Sequence, residues 1–377
     1  MIRKAPFLLF LLWSLVGTMH AETWAYIGTY TKGDSEGIYR STLDLTTGQL
    51  SAPQLAAETK DPSFVVIHPN GQYLYSVSEI ATGNGKKTGS VSAFSIDTVG
   101  DLTLLNQQPT GGAHPCHVSM DSLGKSLLVA NYSGGNCTSY PIADDGSIGE
   151  AGSTMQHEGS SVDPRRQEGP HAHSINVDPA DRRAFAADLG LDKILIYDLD
   201  PTSGKLTPSK QPFLQTPPGG GPRHLSFHPS GKFAFANLEM TLEVAAIAYD
   251  ASSGTMELLD TYPTVPEGTP QKGNSTAETL VHPSGRFLYV SNRGPNSIAV
   301  FEIDESTGSL TPVERESTQG EIPRGFGIDP SGQFLVVGNQ RSHNVVVLKI
   351  NQETGALEPT GSEIAVDSPV NVRFLVR

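Results

Sequence analysis

Apolar positions along this chain fall in short runs of strand length, each set off by a polar turn. The stretch His282-Pro283-Ser284-Gly285-Arg286-Phe287-Leu288-Tyr289-Val290-Ser291-Asn292-Arg293 shows the unit: a turn, an apolar run and a polar end. Matching turns begin at His68, Asp121, Asp178, His228 and Asp329, and consecutive copies lie 47 to 57 residues apart. An internal period of that size, filled with strands, predicts a β-propeller with one blade per copy.

Each turn is preceded by a short apolar strand, at residues 62–67, 115–120, 171–177, 223–227, 277–281 and 324–328. Each is followed by a strand pair joined through an acidic, glycine-containing turn such as Asp304-Glu305-Ser306-Thr307-Gly308, and seven of these occur. Glycine supplies the positive φ there, and Asp or Asn the local side-chain hydrogen bond. The seventh entry strand is found at the far end, as Pro369-Val370-Asn371-Val372-Arg373-Phe374. The fold class predicted is all-β: a seven-bladed β-propeller of four-stranded antiparallel blades, closed by pairing the C-terminal strand with the N-terminal strands. Helix content should be close to nil. A single domain is expected over residues 22–377, its last blade built from about 22–60 plus 367–377. Residues 156–169 break the period and read as a loop over one face.

The first 21 residues have a basic start, the apolar run from Phe7 to Val16, and a small residue, Ala21. They read as a secretory signal peptide, so the chain is expected to be exported, periplasmic or secreted; it would be cytoplasmic if that signal does not function. Net charge is −14, and removing Arg3 and Lys4 with the leader makes it more negative. So acidic a surface argues against nucleic acid, or a membrane after signal cleavage, as partner. The two cysteines, Cys116 and Cys137, fall on the first and third strands of one blade, too far apart to bridge, and are expected to be free thiols.

Topology sorts the polar residues by face. If the first strand of a blade runs from face X to face Y and the second returns, the start of one and the end of the other share face X. The turn between them lies on face Y. His68, His228 and His282 belong to face Y, where Asp holds the same position in other blades, so a turn-capping hydrogen bond accounts for them. Face X collects His114, His117, His171, His173, Arg223, His224, Glu278 and Arg324 from strand starts. Glu79, Asn131, Tyr132, Asp188, Asn237, Glu239, Asn292, Arg293, Asn339 and Arg341 join them from strand ends. Asn131, Asn292 and Asn339 need only cap hairpins. Arg223, Arg293 and Arg324 at one mouth of an acidic protein point instead to an anionic ligand. His171 and His173, two apart, are expected on one face of a strand. No third ligand at a recognisable spacing completes a metal site with them, so neither metal nor cofactor is expected.

The chain resembles the seven-bladed propeller lactonases, the 6-phosphogluconolactonases of bacterial type, and more distantly the fungal carboxy-cis,cis-muconate cyclase. The resemblance rests on Tyr26-Ile27-Gly28-Thr29-Tyr30, Asn131-Tyr132-Ser133-Gly134-Gly135, Gly169-Pro170-His171-Ala172-His173, Asp188-Leu189-Gly190-Leu191-Asp192, Gly221-Pro222-Arg223-His224 and Arg286-Phe287-Leu288-Tyr289-Val290-Ser291-Asn292-Arg293-Gly294. It implies catalytic roles for His171 or His173, for Arg223, for Glu239 and for Arg293. One departure is the residue Leu238 between Asn237 and Glu239. His114, His224, Asn237, Glu278 and Arg324 are the expected substrate-binding residues. The implied activity is hydrolysis of a small anionic or sugar lactone without metal, a carboxylic ester hydrolase reaction. In it, His takes a proton from water, and the Arg pair stabilises the oxyanion or clamps an anionic group. A cycloisomerase acting on a muconate-like dicarboxylate and a non-catalytic envelope binding propeller are the alternatives.

Overall fold

In the computed structural model, residues 22–83 and 85–377 are described. The expected leader, residues 1–21, lies outside the described residues. Among these there are 28 strands and no helix. The strands form seven antiparallel sheets of four, and six of them run in sequence order from the central channel outward. The first blade comprises Val65–Ile67, Tyr73–Ser78, Ser90–Ile96 and Leu102–Pro109. The next five open on the inner strands Pro115–Met120, Ala172–Val177, Pro222–Phe227, Ser275–Val281 and Pro323–Ile328. In the seventh, Pro369–Val376 is innermost and pairs antiparallel with Thr23–Thr29, which leads outward to Gly37–Leu43 and Gln54–Glu58. The first and last described strands thus share one sheet and close the ring, as the repeat predicted.

The hydrophobic pattern follows from where each strand sits. Second strands such as Ser126–Asn131 are buried throughout, because neighbouring blades cover both their faces. Fourth strands such as Leu102–Pro109 are largely exposed. The core is therefore a set of layers between blades. Phe185, Ile194 and Ile196 of the third blade, for example, pack on Leu225, Ala236 and Ile247 of the fourth. Each fully buried Leu, Ile or Phe contributes about 1.5–3 kcal/mol.

Polar ties between blades repeat as regularly. The turn glycines Gly48, Gly100, Gly146, Gly204, Gly254, Gly308 and Gly355 all have φ between +66° and +89°, as turns of this type require. Tyr26, Tyr75 and Tyr289 donate their hydroxyls to the carbonyls of Gly100, Gly146 and Gly355 in the next blade, at 2.8–2.9 Å. On face Y, Nδ1 of His68, His228 and His282 accepts an N–H of its own turn at 3.1 Å. Their Nε2 atoms reach the carbonyls of Gly124, Gly285 and Gly332 in the following blade, at 2.8–3.1 Å. These imidazoles cap turns, as expected, and also tie blades together. Asn131, Asn292 and Asn339 are buried and donate to the carbonyls of Thr110, Thr264 and Thr318, holding the end of the second strand in place.

One departure from regularity positions the site. The inner strands of five blades bulge near their starts, with register shifts spanning Cys116, His173, Arg223 and His224, Ala277 and Glu278, and Arg324. A bulge leaves residues unpaired in the ladder and re-aims their side chains. Counting by twos therefore fails at these positions.

Candidate active site

The bulged residues meet at the face X mouth of the channel. A pocket of about 270 Å³ is lined there by Tyr30, Glu79, Cys116, Tyr132, Arg166, His173, Arg223, Glu239, Arg293 and Arg324. At its centre stands the Glu239 carboxylate. One oxygen accepts from Arg223 at 2.6 Å and forms an ion pair with Arg293 Nη2 at 2.9 Å. The other accepts from Arg166 at 2.7 Å. Burial alone would raise the pKa of this carboxyl, but Arg293, Arg223, His173 and Arg166 outweigh it and hold Glu239 well below the usual carboxylate range.

Arg223 is the most enclosed of the three guanidinium groups. Its Nε donates to the Ala277 carbonyl at 2.7 Å, and Nη1 bonds to His173 Nε2. Because a guanidinium can only donate, His173 accepts at Nε2 and carries its proton on Nδ1, which lies 3.6 Å from Cys116 Sγ. Burial, with the Arg223 charge beside it, pushes the His173 pKa well below its ordinary value. Burial likewise pushes up the Cys116 thiol, so it is not a thiolate. Arg293 is anchored through the Thr276 carbonyl at 3.0 Å.

Across the pocket a second polar group forms. Glu79 accepts from Tyr30 at 2.8 Å and from Ser63 at 2.5 Å. Arg324 lies 4.0 Å from Glu79 and over the Tyr30 ring, and makes no hydrogen bond among the described residues. Beneath, His224 Nδ1 pairs with Glu278 at 2.6 Å. The pocket lining thus carries four guanidinium groups against the two carboxylates of Glu79 and Glu239. Its excess of positive charge contrasts with a net charge of −14 for the whole chain.

The ten residues expected at the site separate into three groups. His173, Arg223, Glu239, Arg293 and Arg324 line the pocket, and His224 and Glu278 lie at its floor. His171 and His173 do not share the face that a two-residue period gives them. The bulge between Ala172 and Ser174 turns His173 into the channel. His171, ahead of the strand, stacks on Tyr132 with ring centroids 4.5 Å apart. Asn237 and His114 do not line the pocket either. Asn237 is buried, accepts the His224 N–H at 3.0 Å and donates to Thr276 at 2.8 Å, so it fixes backbone. His114 bonds to Ser133 Oγ at 2.8 Å on the rim.

The residue that sequence reasoning missed is Arg166. It reaches the pocket from the loop of residues 156–169, which is secured from below. His157 bonds to the buried Asp188 at 2.6 Å, while Gln167 and Ser161 bond to Asp192 at 2.7 and 2.5 Å. Gly190, between these two aspartates, has no room for a side chain: a Cβ there would lie 1.9 Å from the Gly169 carbonyl oxygen. The Asp188-to-Asp192 motif is therefore the seat of the loop that presents Arg166. Adjacent cations at Arg165-Arg166, in the one segment outside the repeat, were the available signal. Beyond Arg166 and Glu239 the pocket opens into an outer vestibule of about 990 Å³, where the positive charges of Arg165 and Lys272 stand against the carboxylate of Asp163.

Among the described residues no group of three His, Cys, Asp or Glu side chains is arranged to hold a metal ion. The arrangement is instead suited to gathering and stabilising negative charge on an organic substrate beside a neutral imidazole.

Comparison with known proteins gives a consistent outcome. The family model described as lactonase, 7-bladed beta-propeller, matches residues 24–374. A 6-phosphogluconolactonase of Bacillus subtilis is 40% identical over 305 residues, covering 81% of this chain and 84% of its own. A periplasmic gluconolactonase of Pseudomonas aeruginosa superposes with a TM-score of 0.88 at 34% identity, covering 94% of this chain and 99% of its own. A crystal structure described as a putative 6-phosphogluconolactonase of Bacteroides fragilis has the same TM-score and identity, with 95% and 99% covered. With the fold, the family model and these relatives in agreement, the chain belongs to the lactonase family of seven-bladed β-propellers.

Proposed function

We propose that the protein hydrolyses a sugar lactone of the 6-phosphogluconolactone type in the face X pocket. The observation that carries this reading is the positive excess of the lining: Arg166, Arg223, Arg293 and Arg324 converge where the protein as a whole is acidic. Attack of water on a lactone carbonyl turns the carbonyl oxygen into an anion and ends in a carboxylate. A buried set of guanidinium donors stabilises both species. Glu239 keeps Arg223 and Arg293 in place before substrate arrives, so little reorganisation is needed at the moment of reaction. His173 holds Arg223 from its other side. Arg324, with no hydrogen-bond partner among the described residues, is available to an anionic substituent.

Phosphorylated and plain aldonolactones both suit this lining. A phosphate gains from Arg324 and from the basic vestibule, whereas export and the periplasmic relative favour the plain sugar lactone. The test is a panel of glucono-δ-lactone and its 6-phosphate, with ring opening by purified protein followed by acid release against the spontaneous rate. Enzyme-dependent opening is expected for both, with the lower KM for the phosphorylated ring. Rates equal to the spontaneous ones for both substrates would overturn the reading.

A further inference from the structure

Lactone hydrolysis needs a group that takes a proton from water, and most of the basic side chains around the pocket are already engaged. His173 accepts the Arg223 N–H at Nε2 and faces Cys116 with Nδ1. His171 faces the Tyr132 carbonyl at 3.2 Å and the Glu168 carboxylate at 3.5 Å. His117 accepts the Ile175 N–H at 3.4 Å. Glu239, clamped by three arginines, is too weak a base at neutral pH.

His224 is arranged differently. Its Nδ1 donates to Glu278 Oε1 at 2.6 Å, so the neutral ring holds its proton there and its lone pair on Nε2. That Nε2 is buried and has no hydrogen-bond partner among the described residues. The backbones of the pair are fixed independently, His224 N–H by Asn237 at 3.0 Å and Glu278 N–H by Ser291 Oγ at 2.9 Å. The ring lines a small cavity of about 10 Å³ with Ser63, Phe64, Glu79, Cys116, Arg223 and Arg324. That is room for about one water among polar groups. Glu79, Cys116, Arg223 and Arg324 also line the main pocket, so the cavity is its floor.

We propose that His224, oriented by Glu278, is the general base, and that it acts on a water held in this floor cavity. The proposal rests on the lactonase reading. The water oxygen bonds to the carbonyl carbon, its proton passes to Nε2, and the carbonyl electron pair moves onto oxygen beside the arginines. On collapse the bond from that carbon to the ring oxygen breaks. The proton returns to the ring oxygen, leaving the hydroxy acid. Glu278 touches no reacting atom and is a positioning residue.

The titratable and charged groups around His224 are Glu278, His173, His117, Arg223 and Arg324, with Glu79 and Cys116 lining the same floor cavity and Arg373 facing His117 and Glu278. Burial lowers the His224 pKa, Glu278 raises it, and Arg223 and Arg324 lower it further, leaving it below the ordinary imidazole value. The ring is then a neutral acceptor at neutral pH.

The test compares wild type, His224→Gln, Glu278→Gln and Glu278→Asp for kcat across pH on glucono-δ-lactone, with calorimetric binding of gluconate as the control for an intact pocket. His224→Gln should lower kcat about 10²–10⁴-fold, the range for a lost general base. It should leave gluconate binding within about twofold and abolish the acid limb of the kcat profile. Glu278→Gln should lower kcat and move that limb to lower pH, because the carboxylate that raises the imidazole pKa is gone. Glu278→Asp should restore part of the rate. An active wild type whose His224→Gln variant keeps the same kcat and the same acid limb overturns the base assignment alone. A wild type that opens no lactone overturns the lactonase reading, and the assignment with it. Should His224→Gln fail to fold, an unmoved acid limb in Glu278→Gln overturns the assignment by itself.

Discussion

His282 and His173 sit on opposite faces of one ring, and the same side chain does different work on each. On the turn face, His282 accepts from its own turn and bonds to the next blade's glycine carbonyl, and His68 and His228 repeat the arrangement. At the mouth His173 stands between Arg223 and Cys116, an arrangement that no other blade repeats among the described residues. Repetition marks what the ring needs from blade to blade. What occurs in one blade only marks what the pocket needs. Where the repeat is broken, by bulges in the inner strands and by the loop carrying Arg166, side chains are released from the ladder and become available to a ligand.

Four substitutions or conditions can break that contrast, in decreasing order of effect. Removing the charge of Glu239 leaves Arg223 and Arg293 buried without their carboxylate. Glu239→Gln should therefore cost about 10³-fold in kcat/KM for lactone opening, with a lowered melting temperature as well. Arg223→Lys keeps the charge but loses the fork that bonds Glu239, His173 and the Ala277 carbonyl together. Steady-state kinetics should show a loss of about 10²-fold.

On the other face, Gly285→Ala places a methyl 2.7 Å from His228 Nε2, at a φ of +81°. Denaturant unfolding should report a loss of about 1–3 kcal/mol while kcat/KM stays within about twofold. The smallest effect concerns acid. His173 and His117 are held neutral by burial and nearby positive charge, with native pKa values well below 6.5. The unfolded chain then binds more protons, so stability falls as pH drops below about 6.5. Glu239, depressed in the native state, keeps its contribution through that window and loses it only as pH falls through its low native value. Melting temperatures between pH 7 and 5 should decline, and His173→Gln should flatten the slope.

The ring was legible because its cause is repetitive: turn glycines, strand-two tyrosines and turn imidazoles recur with the blade period. The mouth was legible as a face, since strand direction alone places Arg223, Glu239, Arg293 and Arg324 there. Which side chains point inward was not, because consecutive residues such as Arg223 and His224 both enter the channel once the strand bulges. Asn237 shows the opposite difficulty. It lies on the correct face but spends its side chain on the His224 backbone, a use that only the neighbouring strand reveals. Arg166 was hidden because its position is set by Asp192 and Asp188 some 20 to 30 residues away, and not by any strand of its own.

The segment from His282 to Arg293 crosses the ring from one face to the other, so a single repeat holds the decisive comparison. kcat/KM for lactone ring opening, measured on His282→Ala and Arg293→Ala, tests whether chemistry is confined to the mouth. The account predicts a loss of about 10²-fold or more for Arg293→Ala and a value within about twofold of wild type for His282→Ala. Equal losses in the two variants, or full activity without Arg293, would contradict it.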